Sequence, residues 1–447
     1  MTQQNNVASS LIIIGCGPGG YRTAAYAAQQ GLSVTIIEKA EAGGTCLNCG
    51  CIPTKALCHD AELAAMGVPV DFSAMMQRKQ SIVEQLRGGV EQLMQQPGIT
   101  FIRGEASLCD AHTVAVRLRD DSETEPMMLT ADNIIIATGA RAKLPPIEGI
   151  DLDGVVTSTE LLDITDLPKR LVIVGAGVIG MEFANIFKSL GSEVIVIEFL
   201  KECLPAMDGD IAKRLRKLLE KRGVEFSLQS GVKSITKDEC LHVAYEKKGK
   251  TAVADADIVL VATGRAANVE GLNLDAVGVE VDRRGIVVDA ESFETSVKNI
   301  YAIGDVNGRQ MLAHAATYQG LHVVNHILGR KDNINLDIMP AAVFTQPEAA
   351  GVGMAEEQLK DAGTPFTVHK GYYRANGKAL AMGESEGLVK LFTDEQYRIV
   401  GCHILGAHAS DMVQEVATMM NRQGTLQQLR DTVHIHPTLS EILTELS

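Results

Sequence analysis

The residues best suited to chemistry are three cysteines within six positions, Cys46, Cys49 and Cys51. Two glycines precede them and a proline and a lysine follow, which marks an unusual backbone rather than a core strand. Three interpretations fit this spacing. Cys46 and Cys49 could be a dithiol redox pair. The three thiols could bind zinc or an iron–sulfur cluster with Cys58 and His59. Cys46 and Cys51 could instead form a redox-active disulfide.

The other cysteines stand alone along the sequence. They are Cys16, Cys109, Cys203, Cys240 and Cys402. Metal sites built from two cysteine pairs bring a second pair far downstream, and none appears, so we predict no metal site. Nine cysteines in a large chain without an export signal favour a reducing compartment, and we predict a cytoplasmic protein.

Length and charge exclude some classes of function. The chain has 447 residues, enough for two to four domains, and a formal net charge of −15. Nucleic acid and anionic membranes are therefore unsuitable partners. The apolar run 11–14 is too short for a membrane span or a signal-peptide core.

A strand, a glycine-rich turn, a helix and a second strand open the chain. The run 11–14 suits a buried parallel strand, an alanine-rich segment predicts a helix over 21–30, and 33–37 predicts a strand. The fixed positions of this pattern are Gly15, Gly17, Gly20 and Glu38. The glycines permit a tight turn, close approach of a pyrophosphate and close helix packing, and the acid can accept from ribose hydroxyls. The pattern predicts a dinucleotide site.

The same pattern recurs with a constant offset of 160 residues and no gap. The matching residues are Gly175, Gly177, Gly180, Gly191 and Glu198. A helix to position 190 and a strand over 193–197 complete the repeat. Two such units predict two dinucleotide-binding domains, and hence two dinucleotides.

Between and after these units the sequence predicts further elements. Helical periodicity extends over 58–94, strands are predicted over 100–102 and 113–118 with Gly-Glu-Ala at 104–106 between them, and a strand over 133–139 ends in glycine. The second unit continues with a predicted helix over 213–223, strands over 225–229 and 257–264, and a strand over 299–305. Asp305, at the end of that strand, could hold a hydroxyl network or form a simple turn. A helix is predicted over 312–328.

The character of the sequence changes near residue 338. Strands are predicted over 342–345, 366–373, 388–393 and 399–405, with helices over 355–362 and 409–422. This pattern predicts an antiparallel sheet with helices on one face, an α+β domain suited to an oligomer interface.

One histidine near the end of the chain is also a candidate catalytic residue. His436 precedes Pro437 and a predicted helix whose first turn holds Glu441. The two could be an acid/base pair, or His436 could be a surface residue at a helix start.

Taken together, these residues resemble the flavoprotein disulfide reductase family over essentially the whole chain. The motifs are both glycine fingerprints, the cysteine segment 43–55, Ala-Ile-Gly-Asp at 302–305, and 434–438 with Glu441. Within the family the resemblance is greatest to dihydrolipoamide dehydrogenases, through Glu198, 204–208, 311–314 and the terminal His-Pro-Thr-Leu-Ser-Glu.

The resemblance implies an α/β fold with two Rossmann-like dinucleotide-binding domains and a C-terminal α+β dimerisation domain. The implied domains are an FAD-binding domain over 1–148, an NAD-binding domain over 149–270, a return to the FAD-binding domain over 271–337, and an interface domain over 338–447. The implied cofactors are FAD and NAD, and the implied assembly is a homodimer.

The resemblance also implies site residues. For FAD they are Gly15, Gly17, Pro18, Gly20, Glu38, Lys39, Gly44, Thr45, Cys46, Lys55, Ala106, Thr138, Gly139, Asp305 and Ala313. For NAD they are Gly175, Gly177, Val178, Ile179, Gly180, Glu182, Glu198, Val232 and Gly264. An acid at 198 accepts from a ribose 2′-hydroxyl but repels a 2′-phosphate, and no arginine follows it, so NAD is preferred to NADP.

The implied catalytic residues form a redox centre and its acid/base. Cys46 would be the interchange thiol and Cys51 the thiol nearer the flavin. Lys55 would pair with Glu182. His436, oriented by Glu441 and supplied by the other subunit, would be the acid/base. The implied reaction oxidises dihydrolipoamide on a lipoyl-bearing protein of a 2-oxoacid dehydrogenase or glycine cleavage system.

Cys49 departs from the family pattern, which usually has a small apolar residue there. We interpret it as a packed neighbour, because a third reactive thiol would divert exchange. Two alternative functions remain: another NAD(P)H-dependent disulfide reductase, or a non-catalytic redox or scaffold subunit.

Overall fold

A computed structural model describes residues 7–119 and 125–447. Its strands, in chain order, are β1 (Val7–Ile14), β2 (Val34–Glu38), β3 (Ile99–Leu108), β4 (Thr113–Leu118), β5 (Met127–Ile136), β6 (Ala140–Ala142), β7 (Val155–Val156), β8 (Arg170–Val174), β9 (Glu193–Ile197), β10 (Val224–Ser227), β11 (Ser230–Lys237), β12 (Leu241–Lys247), β13 (Lys250–Ala256), β14 (Ile258–Val261), β15 (Arg265–Ala267), β16 (Ile300–Ala302), β17 (Ala341–Val343), β18 (Glu348–Gly353), β19 (Thr367–Tyr372), β20 (Leu388–Thr393) and β21 (Ile399–Gly406).

The α-helices are α1 (Pro18–Gln29), α2 (Gly44–Cys49), α3 (Cys51–Ala65), α4 (Phe72–Leu93), α5 (Ser158–Leu161), α6 (Val178–Ser189), α7 (Gly209–Lys221), α8 (Leu274–Val277), α9 (Ala313–Ile327), α10 (Glu356–Asp361), α11 (Gly377–Met382), α12 (Ala409–Asn421) and α13 (Leu426–Arg430). Short 3₁₀ turns cover Gly304–Asn307, Tyr373–Ala375 and Ser440–Leu443. None of these helices is long and apolar enough to cross a membrane.

The chain forms two compact units. The first unit contains residues 1–54, 77–143 and 265–336, and the second contains 55–76, 144–264 and 337–447. These breaks lie near the predicted boundaries after 148, 270 and 337, but the second unit also includes 55–76. The assignment of the segments to FAD, NAD and interface domains stays a prediction.

The first unit is built on a six-stranded sheet. Parallel strands β3, β2, β1, β5 and β16 lie side by side, and β4 pairs antiparallel with both β3 and β5. The long strand β3 pairs with β2 up to Arg103 and with β4 from Gly104 onward. The isoleucines of β1 are fully or almost fully buried, which explains their unbroken apolar run.

The second unit contains a parallel sheet with the order β10-β9-β8-β14-β7 and an antiparallel sheet β11-β12-β13. A third, antiparallel sheet has the order β17-β18-β21-β20-β19, and α12 packs on it. A buried ion pair joins the segment before α7 to this last sheet: Lys390 Nζ lies 2.8 Å from the Asp208 carboxylate.

Four details differ from the sequence predictions. The predicted helix over 58–94 is two helices, because Gly67, in the left-handed region, and Pro69 lie between α3 and α4. The strand predicted over 100–102 is longer than expected, since β3 continues through 104–106. Strands β6, β7, β11 to β13, β15 and β18 were not predicted. The terminal segment after Pro437 forms a 3₁₀ turn rather than an α-helix.

Candidate active site

The first glycine turn has the backbone that its spacing predicts. Gly15 has φ +106°, and a Cβ on Gly20 would overlap the Gly15 carbonyl oxygen. Helix α1 starts with Pro18 after the N-cap residue Gly17, and no side chain caps its first amides. These amides and the positive end of the helix can accept an anionic group.

The cysteine segment packs directly against this turn. The Gly43 N–H donates to the Cys16 carbonyl oxygen at 2.9 Å. A Cβ on Gly44 would come within 2.6 Å of the Cα of Gly17. The two consecutive glycines of the segment are therefore required for α2 to begin beside the glycine turn.

The predicted redox cysteines lie on two successive helices. Cys46 is half-buried within α2, Cys49 is the last residue of α2, and Cys51 is the exposed first residue of α3. Gly50 separates the helices and accepts from Thr54 Oγ1 at 2.7 Å. Cys51 therefore stands at the positive end of the α3 helix dipole.

Asn48 fixes α2 and was not singled out from the sequence. Its Nδ2 donates to the carbonyl oxygens of Ala42 and Gly44, each at 3.0 Å. Its Oδ1 accepts from Arg87 Nε at 2.8 Å. A polar residue between two cysteines was the available signal, but Arg87 is too distant in sequence to be paired with it.

The acid at the end of β2 is buried and held by the backbone. Glu38 Oε2 accepts from the Cys16 N–H at 2.7 Å, and Oε1 accepts from the Ala40 N–H at 2.8 Å. Each oxygen keeps a second lone pair for a hydroxyl donor. The neighbouring Lys39 is exposed and lies 3.7 Å from Glu105.

The predicted residues after β5 and β16 also lie in the first unit. Thr138 and Asn268 exchange hydrogen bonds at 2.7 and 3.0 Å beside Gly139. Asp305 lies 3.7 Å from Arg265 Nε, beyond hydrogen-bond distance, and burial raises the pKa of its carboxyl. Such a carboxylate suits a hydroxyl donor from a ligand.

At two further predicted positions in this unit, only backbone groups are available to contact a ligand. Ala106 is buried in β3, opposite Val116 of β4. Ala313 starts α9, whose first amides have no side-chain cap. Thr45 is exposed in α2.

The second unit repeats the glycine turn. Gly175 has φ +106°, a Cβ on Gly180 would overlap the Gly175 carbonyl oxygen, and Gly177 caps α6 without a side chain. Glu198 accepts from the Ala176 N–H at 2.5 Å and the Leu200 N–H at 2.7 Å.

The other residues predicted for NAD lie at the edges of this turn. Val178 is exposed at the start of α6, and Ile179 is half-buried. Val232 is half-buried in β11, and Gly264, with φ +120°, follows β14. They stay predicted contacts.

Lys55 and Glu182 form a largely buried ion pair in the second unit. The two carboxylate oxygens lie 2.8 and 2.9 Å from Nζ. Phe344 holds both partners: its N–H donates to Glu182 at 2.9 Å, and Lys55 Nζ lies 4.7 Å from its ring centroid. Next to the pair, burial and Glu182 raise the pKa of the Cys58 thiol to about 12, so Cys58 is not a reactive thiol.

His436 and Glu441, predicted as an acid/base pair, are in contact. His436 Nδ1 lies 2.9 Å from Glu441 Oε1, and Oε2 accepts from the Thr438 N–H at 2.7 Å. The Thr438 amide, and then His436, hold the pKa of Glu441 below its usual range. The side chain of His436 is 82% exposed, so Nε2 is accessible to a substrate.

Two family models cover almost the whole chain. Residues 9–320 match the pyridine nucleotide-disulphide oxidoreductase model, and residues 339–447 match the dimerisation domain of the same family. The chain belongs to the pyridine nucleotide-disulphide oxidoreductase family.

Relatives within the oxidoreductase family span the full length. The chain is 38% identical to a dihydrolipoyl dehydrogenase of Chlamydia muridarum, over 98% of this chain and 96% of that protein. It is 37% identical to the mitochondrial dihydrolipoyl dehydrogenase of Pisum sativum, over 98% and 90%. A solved copper(II) complex of the HOCl-induced flavoprotein disulfide reductase RclA from Escherichia coli has a TM-score of 0.89 and 32% identity, covering 98% of both chains.

These comparisons confirm the predicted family, fold class and cofactor types, a flavin and a pyridine nucleotide. The residues of the first unit fit a dinucleotide, because Gly17 and Gly44 leave a side-chain-free cradle beside uncapped helix amides, and the half-buried carboxylate of Asp305 lies 3.7 Å from its nearest cation, Arg265. The dimerisation domain supports the predicted homodimer. The roles assigned to individual site residues stay predictions.

Sequence reasoning missed residues that position the oxidoreductase site. Arg265 contacts the Ala140 carbonyl oxygen, and Asn268 Nδ2 donates to the Thr138 carbonyl oxygen. The Phe344 N–H donates to Glu182 of the Lys55–Glu182 pair. Their partners are more than a hundred residues away in the chain, so spacing carries no signal for them.

Proposed function

We propose that this FAD-dependent oxidoreductase oxidises protein-bound dihydrolipoamide with NAD⁺ through a Cys46–Cys51 disulfide. The observation that carries the proposal is the exposed His436, held by an ionised Glu441 with its Nε2 accessible. Dihydrolipoyl dehydrogenases at 37 and 38% identity over the full chain support the choice of substrate. A reducing, cytoplasmic compartment belongs to the same proposal.

The proposed reaction starts with proton transfer. One dihydrolipoamide thiol gives its proton to His436 Nε2, and the resulting imidazolium is stabilised by the carboxylate of Glu441. The substrate thiolate forms a bond to the Sγ of Cys46, and the Cys46–Cys51 bond breaks, which leaves Cys51 as a thiolate.

The second substrate thiol completes the exchange. Its sulfur bonds to the substrate sulfur held by Cys46 while its proton passes to the departing Cys46 Sγ, so the mixed disulfide breaks and Cys46 leaves as a thiol. The products are the cyclic lipoamide disulfide and a reduced cysteine pair, which carries two electrons. The flavin, when bound, supplies the two-electron transfer from this pair to NAD⁺. Lys55, fixed by Glu182 and Phe344, is proposed as the cation that adjusts the charge beside the flavin.

Glu198 supports NAD over NADP in this proposal. Two backbone amides hold its carboxylate in place, and the side chains that follow, Phe199 and Leu200, are apolar and exposed. The fixed negative charge can accept from a 2′-hydroxyl and repels a 2′-phosphate.

The decisive experiment compares two neighbouring cysteine variants of the flavin-loaded protein. We expect C46S to lose at least about a thousandfold in dihydrolipoamide oxidation with NAD⁺, because the interchange thiol forms the covalent bond. C49S is the matched control and should stay within about twofold. Full activity in C46S would refute the proposal.

A second candidate is a disulfide reductase with another substrate, supported by the similarity to the reductase RclA. It predicts NADPH- or NADH-driven reduction of a different disulfide and little turnover of dihydrolipoamide. Rates measured with both nicotinamide cofactors, against lipoamide and glutathione disulfide, separate the two. A purified protein without bound flavin would instead favour a scaffold subunit.

A further inference from the structure

A hairpin in the second unit brings together three side chains that the sequence leaves separate. Asp238 and Cys240 lie in the turn between β11 and β12, and His242 lies on β12. One potential ligand atom from each of the three lies within 4.8 Å of the others, the one such group in residues 7–119 and 125–447. Cys240, expected to stand alone, therefore has a histidine and a carboxylate beside it.

The atoms have nearly the separations that a tetrahedral metal imposes. His242 Nε2 lies 2.9 Å from Asp238 Oδ1 and 3.9 Å from Cys240 Sγ. Around a zinc ion with ordinary bond lengths, a nitrogen and an oxygen ligand would be about 3.3 Å apart and a nitrogen and a sulfur about 3.6 Å apart. Changes of about 0.3–0.4 Å in these two separations would meet this geometry, and the third pair of ligand atoms lies within 4.8 Å.

A carboxylate outside the trio orients the histidine. Asp255 of β13 lies opposite His242 in the sheet, and its Oδ1 is 2.7 Å from Nδ1. A carboxylate on the far ring nitrogen is the usual support of a metal-binding histidine, since it directs Nε2 to the metal. Arg170 pairs with Asp257 at 2.7 Å and lies 3.9 Å from Asp255. It also contacts the Cys240 side chain, so Zn²⁺ bound by Cys240 would replace this last contact.

The ligand types select the class of ion. A thiolate, an imidazole and a carboxylate together suit a borderline ion such as Zn²⁺ better than Mg²⁺ or Ca²⁺, which take oxygen ligands. A deprotonated Cys240 and Asp238 carry two negative charges, which balance a divalent cation. Asp238 is exposed and both other residues are half-buried, so ions have access and a water can take the fourth position.

We infer that Asp238, Cys240 and His242 form a Zn²⁺ site supported by Asp255. Its location is a hairpin of the sheet β11-β12-β13, apart in sequence from the cysteine segment and from His436. The competing explanation is that His242 clamps the hairpin through its two carboxylates without any metal.

Protection of Cys240 from alkylation tests the inference at residue resolution. The flavin-loaded protein is treated with iodoacetamide with and without zinc chloride, and peptide mass spectrometry gives the rate at each cysteine. We expect Zn²⁺ to slow alkylation of Cys240 at least about tenfold, and H242Q to abolish this protection. D255N should weaken Zn²⁺ binding by about 10- to 100-fold while the three ligands remain.

Cys109 is an internal control within the same sample. It is exposed, and Asp110 and His112 follow it, so the same three residue types occur within four positions. His112 Nδ1, however, contacts the Ala131 carbonyl oxygen at 3.0 Å. Equal protection of Cys109 and Cys240, or protection of Cys240 that survives H242Q, would overturn the inference.

Calorimetry covers the case in which Cys240 reacts too slowly. When zinc chloride is titrated into the wild-type protein and into C240S, the number of Zn²⁺ ions bound per chain should differ by one. Any binding to the cysteine segment is common to both proteins and cancels in this difference. Identical stoichiometry and affinity in the two proteins would favour the metal-free clamp.

Discussion

The two glycine turns are nearly identical in backbone, but the helices that follow them have different surroundings. Gly15 and Gly175 share φ +106°, and Glu38 and Glu198 each accept from the amide after the first glycine. Two residues past the last glycine, however, Arg22 is exposed on α1, whereas Glu182 is buried on α6. The two turns repeat the same predicted dinucleotide cradle, whereas the rest of each helix packs against different elements of its own unit.

Packing explains this difference. In the first unit α1 approaches α9 closely, with Gly320 against Thr23, and the opposite side of α1 meets solvent. In the second unit α6 is buried along most of its length and packs with Leu57 of α3 in one apolar core. Burial of α6 on several sides allows it to present Glu182 to Lys55.

The largest expected effect separates the two cradles. In G20A and in G180A the new Cβ overlaps the carbonyl oxygen of the first glycine of the turn. This backbone clash lowers the free energy of unfolding by about 1–3 kcal/mol or more. We expect G20A to purify without flavin, and G180A to keep flavin while its KM for NAD⁺ rises more than tenfold. Flavin absorbance per chain measures the flavin content, and steady-state kinetics measure the KM for NAD⁺. Loss of the same ligand in both variants would show that the turns do not have separate roles.

The next effect concerns the position at which the helices differ. E182Q removes the counterion of Lys55, which is about one-third exposed and can partly rehydrate, so we expect a loss of about 1–2 kcal/mol in the free energy of unfolding. R22Q is the matched control on α1 and should stay within about 1 kcal/mol. Denaturant titration of the flavin-loaded proteins checks both, and equal losses would contradict the contrast between the helices.

The two acids should differ in which ligand they affect. In E38Q and in E198Q an amide group replaces a carboxylate that accepts from two backbone N–H groups, at a cost of about 1–2 kcal/mol each. We expect E38Q to lower flavin retention. E198Q should reduce the preference for NAD⁺ over NADP⁺ about tenfold, measured as the ratio of kcat/KM values. An unchanged ratio would remove Glu198 from cofactor selection.

The smallest effect tests the equivalence itself. Gly31 and Gly191 end α1 and α6 with φ +93° and +103°, and no atom lies within 4 Å of a Cβ built on either. G31A and G191A should therefore differ from the wild type by backbone strain alone, about 1 kcal/mol each. Thermal unfolding of the two variants should shift by similar amounts, and a large difference would indicate unequal backbone support.

Local patterns were enough to predict the glycine turns, the strands around them and most of the C-terminal sheet. Strand β18 was missed because its Glu-Ala-Ala-Gly-Val-Gly sequence has low strand propensity, and it exists through pairing with β17 and β21. The break between α3 and α4 had a signal, Gly67 and Pro69, that helical periodicity outweighed.

The candidate site was predictable only where residues are close in sequence or match the family. His436 and Glu441 are five residues apart, and their contact is as predicted. Lys55 and Glu182 are 127 residues apart, and their pairing came from the resemblance. The cluster of Asp238, Cys240 and His242 was missed because the hairpin that forms it was not predicted. Two of its members lie in the turn before β12, and only His242 lies on the strand.

The segment before His436 carries a further consequence. Val433 and Ile435 are 96% and 80% exposed, and each would gain about 1.5–3 kcal/mol on leaving water. The predicted homodimer, in which His436 would serve the site of the other subunit, would have a specific activity that depends on chain concentration. Diluted stocks should lose turnover per chain with a lag and regain it on concentration, so rates measured at a single low enzyme concentration would describe the dissociation of the dimer rather than its chemistry.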